Sequence, residues 1–150
     1  LLERYLKKEL DIYLLNNVRF IAIGDTTIFS NTLQKVIHNI EEKTKQCTGL
    51  IQYLAINYGA KDELIRSIKK IIDKKEEITP DIIQKNLDMP LDIDLLIRTG
   101  GNQRISNFLL WQNAYAELFF TQTLWPDFTP KELETIISKF YTIERRFGDI

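Results

Sequence analysis

The sequence predicts an α/β fold with a largely parallel central sheet flanked by helices, and three observations predict it. Stretches with the helical period alternate with short extended runs along the whole chain, as crossover helices alternate with parallel strands. One extended run stays apolar for several residues, as a strand covered on both faces requires. A glycine pair, Gly100-Gly101, directly follows another such run, at the carboxyl end where open α/β sheets bind ligands. The 150 residues suit one domain, and no linker rich in Pro or Gly divides them, so residues 1–150 read as a single domain.

The elements follow in order. Leu2, Leu6, Leu10 and Tyr13 make a helical stripe, and Val18 to Ile23 is a short β-rich run closed by Gly24. Phe29, Leu33, Val36, Ile37 and Ile40 form the next stripe. Leu50 to Tyr58 reads as a central strand buried on both faces. Leu64, Ile65, Ile68, Ile71 and Ile72 mark a helix whose wet side carries Lys69, Lys70, Lys74 and Lys75, and Thr79-Pro80 starts another. Asp92 to Ile97 is a strand running into Arg98-Thr99-Gly100-Gly101. Asn107 to Gln112 reads as a short helix and Ala116 to Thr121 as the last strand. Thr129-Pro130-Lys131-Glu132 is a capping box with proline at the first helical position, opening a helix that turns Leu133, Ile136, Ile137 and Phe140 inward.

Composition narrows the function. Apolar residues are 44% and charged residues 27% of the chain, a balance that folds rather than staying disordered. Cys47 is the only cysteine, which excludes an internal disulfide or a thiolate zinc site and fits a reducing, cytoplasmic setting. The formal net charge of -1 offers no global basic field for nucleic acid. No apolar run is long enough to span a membrane, and no secretory signal pattern opens the chain. The first residues, Leu1 and Leu2 in place of Met, give the start a truncated look. Residues 1–75 hold 13 basic and 9 acidic side chains and residues 76–150 hold 7 and 12. Four of the seven cations in that acidic half are arginines, which suit bidentate anion contacts better than lysine does. Ten of the 16 aromatic residues lie in the last fifty, as a core or a subunit interface would require.

The chemistry concentrates in Arg98-Thr99-Gly100-Gly101-Asn102-Gln103-Arg104-Ile105-Ser106-Asn107. Two guanidinium forks, a hydroxyl, and glycine backbone that a ligand can approach closely and that exposes its N–H groups are what a phosphate or diphosphate needs. The bland alternative is a loop salt-bridged to Asp92 or Asp94. Glu117, a lone carboxylate opening an apolar strand, is costly to bury unless it is paired or holds a cation. Mg²⁺ takes one or two carboxylates and completes its shell from water and phosphates, so Glu117 reads either as a metal ligand or as a partner of Arg98 or Arg104. His38, the only histidine, falls in a helical stretch and suits the surface better than a triad or metal site. Neither G-x-S-x-G, G-x-G-x-x-G nor a Walker lysine motif occurs, and Gly24-Asp25 reads as a turn.

The run R-T-G-G-N-Q-R-I-S-N-F-L-L-W-Q-N-A-Y-A-E from Arg98 to Glu117, followed by L-F-F-T and by L-W-P-D-F from Leu124 to Phe128, closely resembles the C-terminal signature of the cis-prenyltransferases, the family typified by bacterial undecaprenyl diphosphate synthase. I-G-D-T (Ile23 to Thr26), A-I-N-Y-G (Ala55 to Gly59) and E-R-R-F-G (Glu144 to Gly148) extend the resemblance over nearly the whole chain in the right order. The resemblance implies an enzyme that elongates an allylic diphosphate with isopentenyl diphosphate, forming cis double bonds with Mg²⁺. It implies that Arg98, Arg104 and Ser106, with Ile105 between the last two, hold the isopentenyl diphosphate group, and that Glu117 is a Mg²⁺ ligand. It implies an apolar tunnel for the growing hydrocarbon and a lipid product that brings the enzyme near a membrane surface. Arg146 and Gly148 resemble an Arg-x-Gly element that reaches the partner subunit's site, which implies a homodimer.

Asn102 stands where the family often has glutamate, and Gln103 where it often has histidine. The family's N-terminal D-G-N-G-R motif, which supplies its catalytic aspartate, and the following F-S-x-x-N-W segment do not occur in the chain. The resemblance therefore implies the C-terminal two thirds of such an enzyme, inactive alone. The alternative is a non-catalytic partner subunit or degenerate homologue.

Overall fold

The computed structural model describes residues 1–148 and falls into two compact units, Leu1–Met89 and Pro90–Ile150. The first contains α1 (Leu2–Leu15), β1 (Arg19–Ile23), α2 (Asn31–Thr44), β2 (Ile51–Ala55), α3 (Ala60–Lys74) and α4 (Pro80–Asn86), and the second contains β3 (Leu95–Arg98), β4 (Glu117–Phe120) and α5 (Pro130–Phe140). Both strand pairs, β1 with β2 and β3 with β4, are parallel, as the alternating pattern predicts.

The first unit is built on the stripes read from the sequence. Leu6 and Tyr13 of α1 and Val36, Ile37 and Ile40 of α2 close over Phe20 of β1, and the Tyr13 and Phe20 rings stack 5.6 Å apart. Burial raises the pKa of the Tyr13 hydroxyl above its ordinary value. Ser30 caps α2 by accepting from the Leu33 amide at 3.3 Å, and Thr79 caps α4 by accepting from Ile82 at 3.3 Å, with Pro80 in the first turn. The turn after β1 requires glycine: Gly24 has φ +106, and a Cβ there would lie 2.3 Å from the Ile56 carbonyl oxygen. Asp25 closes the same turn. Its carboxylate accepts from the Thr27 hydroxyl and amide, and these bonds hold its pKa below the usual carboxylate range.

Two expectations for this unit fail. The β2 segment is not a central strand buried on both faces: Ile51 and Ala55 are exposed and the residues between them are half-buried. Its ladder partner is β1 alone among the described residues, so β2 is an edge. The isoleucine stripe of α3 is also rotated, because Ile65 and Ile72 are exposed while Ala60, Glu63, Ser67 and Ile71 are buried. Polar residues can take that buried face because they are satisfied there. Glu63 accepts from the Asp88 amide at 2.9 Å and the Tyr58 hydroxyl at 2.5 Å, and the Ser67 hydroxyl donates to the Ile83 carbonyl at 3.1 Å. The lysines beyond are not all merely solvated either, since Lys74 donates to Asn86 Oδ1 at 2.9 Å and Lys70 lies 3.6 Å from Asp88.

In the second unit the capping box is half of one. Thr129 Oγ1 accepts from the Glu132 amide at 3.2 Å, but the Glu132 carboxylate turns away to accept from the Thr121 and Thr123 hydroxyls at 2.6 and 3.1 Å. The helix start is thereby tied to the turn after β4. Of the residues expected to face inward from α5, Ile136 is buried and Leu133 is exposed. The short helix expected over 107–112 is absent; turns occupy the segment. Ser106, Asn107 and Leu109 have φ of +52, +62 and +48, a left-handed geometry that interrupts helical hydrogen bonding. Among the described residues, no helix is long and apolar enough to cross a membrane.

Candidate functional site

The parallel register of β3 and β4 positions the candidate site. Arg98 is the last residue of β3, opposite Phe120, and the chain then turns through Gly100 and Gly101 with φ of +85 and +77. Their amides donate to the Thr123 and Thr121 carbonyls, each at 2.8 Å. The expectation that this glycine backbone offers free N–H groups to an anion is therefore overturned: both are spent tying the loop to the chain after β4. Neither of these two amides is left for an anion.

Those side chains converge. Arg98 Nη1 donates to the Arg104 carbonyl and, at 2.8 Å, to Ser106 Oγ, drawing the loop back over the strand end. Arg98, Arg104, Ile105 and Ser106 line one open recess of about 260 Å³ together with Leu96, Ile97 and Phe108. The Arg104 side chain is exposed and, among the described residues, has neither hydrogen bond nor ion pair. Nη2 and Nε of the half-buried Arg98 likewise have no hydrogen bond among the described residues. Three left-handed residues in four, none of them glycine, store backbone strain beside this recess, as functional loops commonly do.

The salt-bridged alternative for the loop does not hold for Asp94, which pairs with Arg145 at 2.6 Å. Glu117 is not a partner of Arg98 or Arg104 either. It opens β4 opposite Leu95, about 10 Å along the strands from the Arg98 position, and strand alternation sends the two side chains to opposite faces. One chain thus gathers Arg98, Arg104, Ile105 and Ser106, but not Glu117. The half-buried Glu117 side chain bears no hydrogen bond or ion pair among the described residues. No group of three His, Cys, Asp or Glu able to hold a metal occurs among the described residues. A free carboxylate still fits an ion that takes a single protein oxygen ligand and fills its shell with water and phosphate.

Asn102, Gln103 and His38 are exposed. Arg146 is also exposed, with Glu144 at 3.7 Å, and Gly148 has φ +83. Sequence reading counted Arg145 only among the four arginines of the acidic half; the structure ties it to Asp94 and Tyr115. The available signal was its place between two aromatics, Phe140 and Phe147.

Comparison with known proteins gives the family. The family model of undecaprenyl diphosphate synthase matches residues 1–148. An isoprenyl transferase of Wolinella succinogenes is 51% identical over all of this chain, which spans 67% of the relative's length. A ditrans,polycis-undecaprenyl-diphosphate synthase of Buchnera aphidicola is 47% identical, over 89% of this chain and 57% of its own. The crystal structure of a probable undecaprenyl diphosphate synthase from Campylobacter jejuni superposes with a TM-score of 0.94 at 47% identity, over 99% of this chain and 71% of that one. Lavandulyl diphosphate synthase from Lavandula x intermedia, solved with dimethylallyl diphosphate, gives 0.90 at 30% identity, over 98% of this chain and 68% of that one. The fold is a parallel α/β one with a recess lined by two arginines at the carboxyl end of β3. The chain belongs to the undecaprenyl diphosphate synthase family of prenyltransferases.

Proposed function

We propose that the protein is an isoprenyl transferase that condenses isopentenyl diphosphate with an allylic diphosphate to make a cis-polyprenyl diphosphate. The observation that carries this reading is the convergence of Arg98, Arg104 and Ser106 on one recess at the carboxyl end of β3, with the Arg104 guanidinium uncommitted. A diphosphate placed there gains charge-assisted hydrogen bonds from two guanidinium groups and a neutral one from the Ser106 hydroxyl. A non-catalytic partner subunit has no use for an unpaired arginine in that position.

In the reaction the allylic C–O bond breaks and inorganic diphosphate leaves with the electron pair. The double bond of isopentenyl diphosphate attacks the allylic carbon, and loss of one proton restores neutrality at carbon. Arg98, Arg104 and Ser106 hold the diphosphate that is retained, orienting the attacking double bond and offsetting the charge of two anions in one cleft. Mg²⁺ belongs to this reading, with Glu117 the residue that would hold it; the ion supplies neutralisation of diphosphate charge. A homodimer, with Arg146 and Gly148 near the partner's site, belongs to it as well, as does a cytoplasmic enzyme whose lipid product brings it to the membrane surface.

The test is incorporation of labelled isopentenyl diphosphate into butanol-extractable product by the native gene product, with allylic diphosphates of increasing length and with Mg²⁺ or EDTA. Chain elongation that requires Mg²⁺ is expected. Binding of isopentenyl diphosphate without elongation would identify the partner-subunit alternative, and neither binding nor elongation would sink the reading.

A further inference from the structure

Arg145 takes no part in the anion recess, yet it is the most engaged arginine of its unit. Its guanidinium lies 5.4 Å from the Phe140 ring centroid and 4.8 Å from that of Phe147, a cation held against two aromatic rings. Nη1 donates to Asp94 Oδ1 at 2.6 Å and Nη2 to the Tyr115 carbonyl at 3.4 Å. Its side chain is 20% exposed, against 82% for the adjacent Arg146. The two anchor points are the entrances of the strand pair. Asp94 immediately precedes β3, Tyr115 stands two residues before β4, and the Asp94 carbonyl accepts the Glu117 amide at 2.9 Å. The rings of Tyr115 and Phe147 meet at 5.9 Å, so Phe147 reaches the same strand entrance as Arg145.

We propose that Arg145 is a positioning residue: it fastens the segment 141–148 to the entrances of β3 and β4, and so sets where Glu117 and Arg146 stand without touching substrate itself. Its kinetic consequence rests on the prenyltransferase reading above; the fastening does not. The anchoring groups differ in kind, two rings, a carboxylate and a carbonyl, so lysine can keep the ion pair with Asp94 but not the guanidinium's contact with both rings or the second arm to Tyr115. Substitution by lysine therefore separates charge from shape.

The experiment compares the native gene product with its Arg145→Gln and Arg145→Lys variants by hydrogen exchange and by kinetics. Amides of 141–148 and of 115–118 are expected to exchange about tenfold faster in Arg145→Gln, with an intermediate value for Arg145→Lys, while α2 keeps its protection. The isopentenyl diphosphate KM or the Mg²⁺ half-saturation is expected to rise about tenfold or more, as for loss of an outer partner of a site, with kcat less affected and partial recovery in Arg145→Lys. Unchanged exchange at both segments overturns the fastening. Faster exchange with unaltered kinetic constants overturns the positioning role. A native protein without transfer activity refutes the prenyltransferase reading instead, and exchange alone then decides whether Arg145 is the fastener.

Discussion

Replacing Arg98 by lysine separates the two tasks that its guanidinium performs. Nη1 alone makes both loop bonds, to the Arg104 carbonyl and to Ser106 Oγ, which leaves Nη2 and Nε for a ligand. A lysine ammonium that satisfies the same two acceptors keeps one proton for the ligand and loses the planar fork. The loop, with its left-handed Ser106, Asn107 and Leu109, should therefore stay in place, and stability should change by less than about 1 kcal/mol. The ligand loses one charge-assisted bond, about 1.5–3 kcal/mol, and the half-exposure of Arg98 argues for the lower end. At about 1.4 kcal/mol per decade this is roughly a 10- to 100-fold fall in kcat/KM for isopentenyl diphosphate. The assay varies isopentenyl diphosphate at saturating allylic diphosphate, then the reverse, with the melting temperature recorded on the same sample. A kcat/KM within about twofold of the native value, or an equal fall for both substrates, would refute the assignment of Arg98 to the isopentenyl diphosphate group.

Three further substitutions probe the remaining parts. Arg104→Ala removes a side chain with no partner among the described residues, so it should raise the isopentenyl diphosphate KM by roughly 10- to 100-fold with no loss of melting temperature; an unchanged KM removes Arg104 from the site. Glu117→Gln keeps shape but not charge, and the Mg²⁺ concentration for half-maximal rate should rise by about tenfold or more; an unaltered titration rejects Glu117 as the metal ligand. Gly24→Ala forces φ +106 on an L-residue and sets a Cβ 2.3 Å from the Ile56 oxygen. It should cost at least about 1–2 kcal/mol and lower the melting temperature by more than about 2 °C, and a native-like thermal scan would show that the turn can rearrange.

The sequence made legible what depends on local periodicity and on residue chemistry. The stripes of α1 and α2 and the proline-led start of α4 needed only spacing and capping chemistry, and each stands in the structure. Arg98, Arg104 and Ser106 stood out in the sequence by residue chemistry alone, and the structure brings them, with Ile105, to one recess. What remained hidden depends on tertiary partners. The buried face of α3 was misjudged because Glu63 finds the Tyr58 hydroxyl and the Asp88 amide, contacts that no helical periodicity encodes. Glu117 seemed close to the arginine loop because both flank one motif; only the parallel register, with Leu95 facing Glu117 and Arg98 facing Phe120, shows that they sit on opposite faces.

The glycine pair carries the more general lesson about how this site binds. A glycine-rich turn after a strand invites a backbone nest, in which successive amides cradle phosphate. Here those amides close the loop onto Thr121 and Thr123, and the same Thr121 and Thr123 hold Glu132 at the start of α5 through their hydroxyls. Gly100 and Gly101 therefore serve to let the chain double back against the turn after β4, a path whose φ of +85 and +77 favours glycine. With these two amides committed to architecture, the proposed anion is left to the side chains of Arg98, Arg104 and Ser106. Affinity should then depend on the guanidinium groups and fall with ionic strength as exposed charges are screened, whereas a buried backbone nest would be far less sensitive to salt.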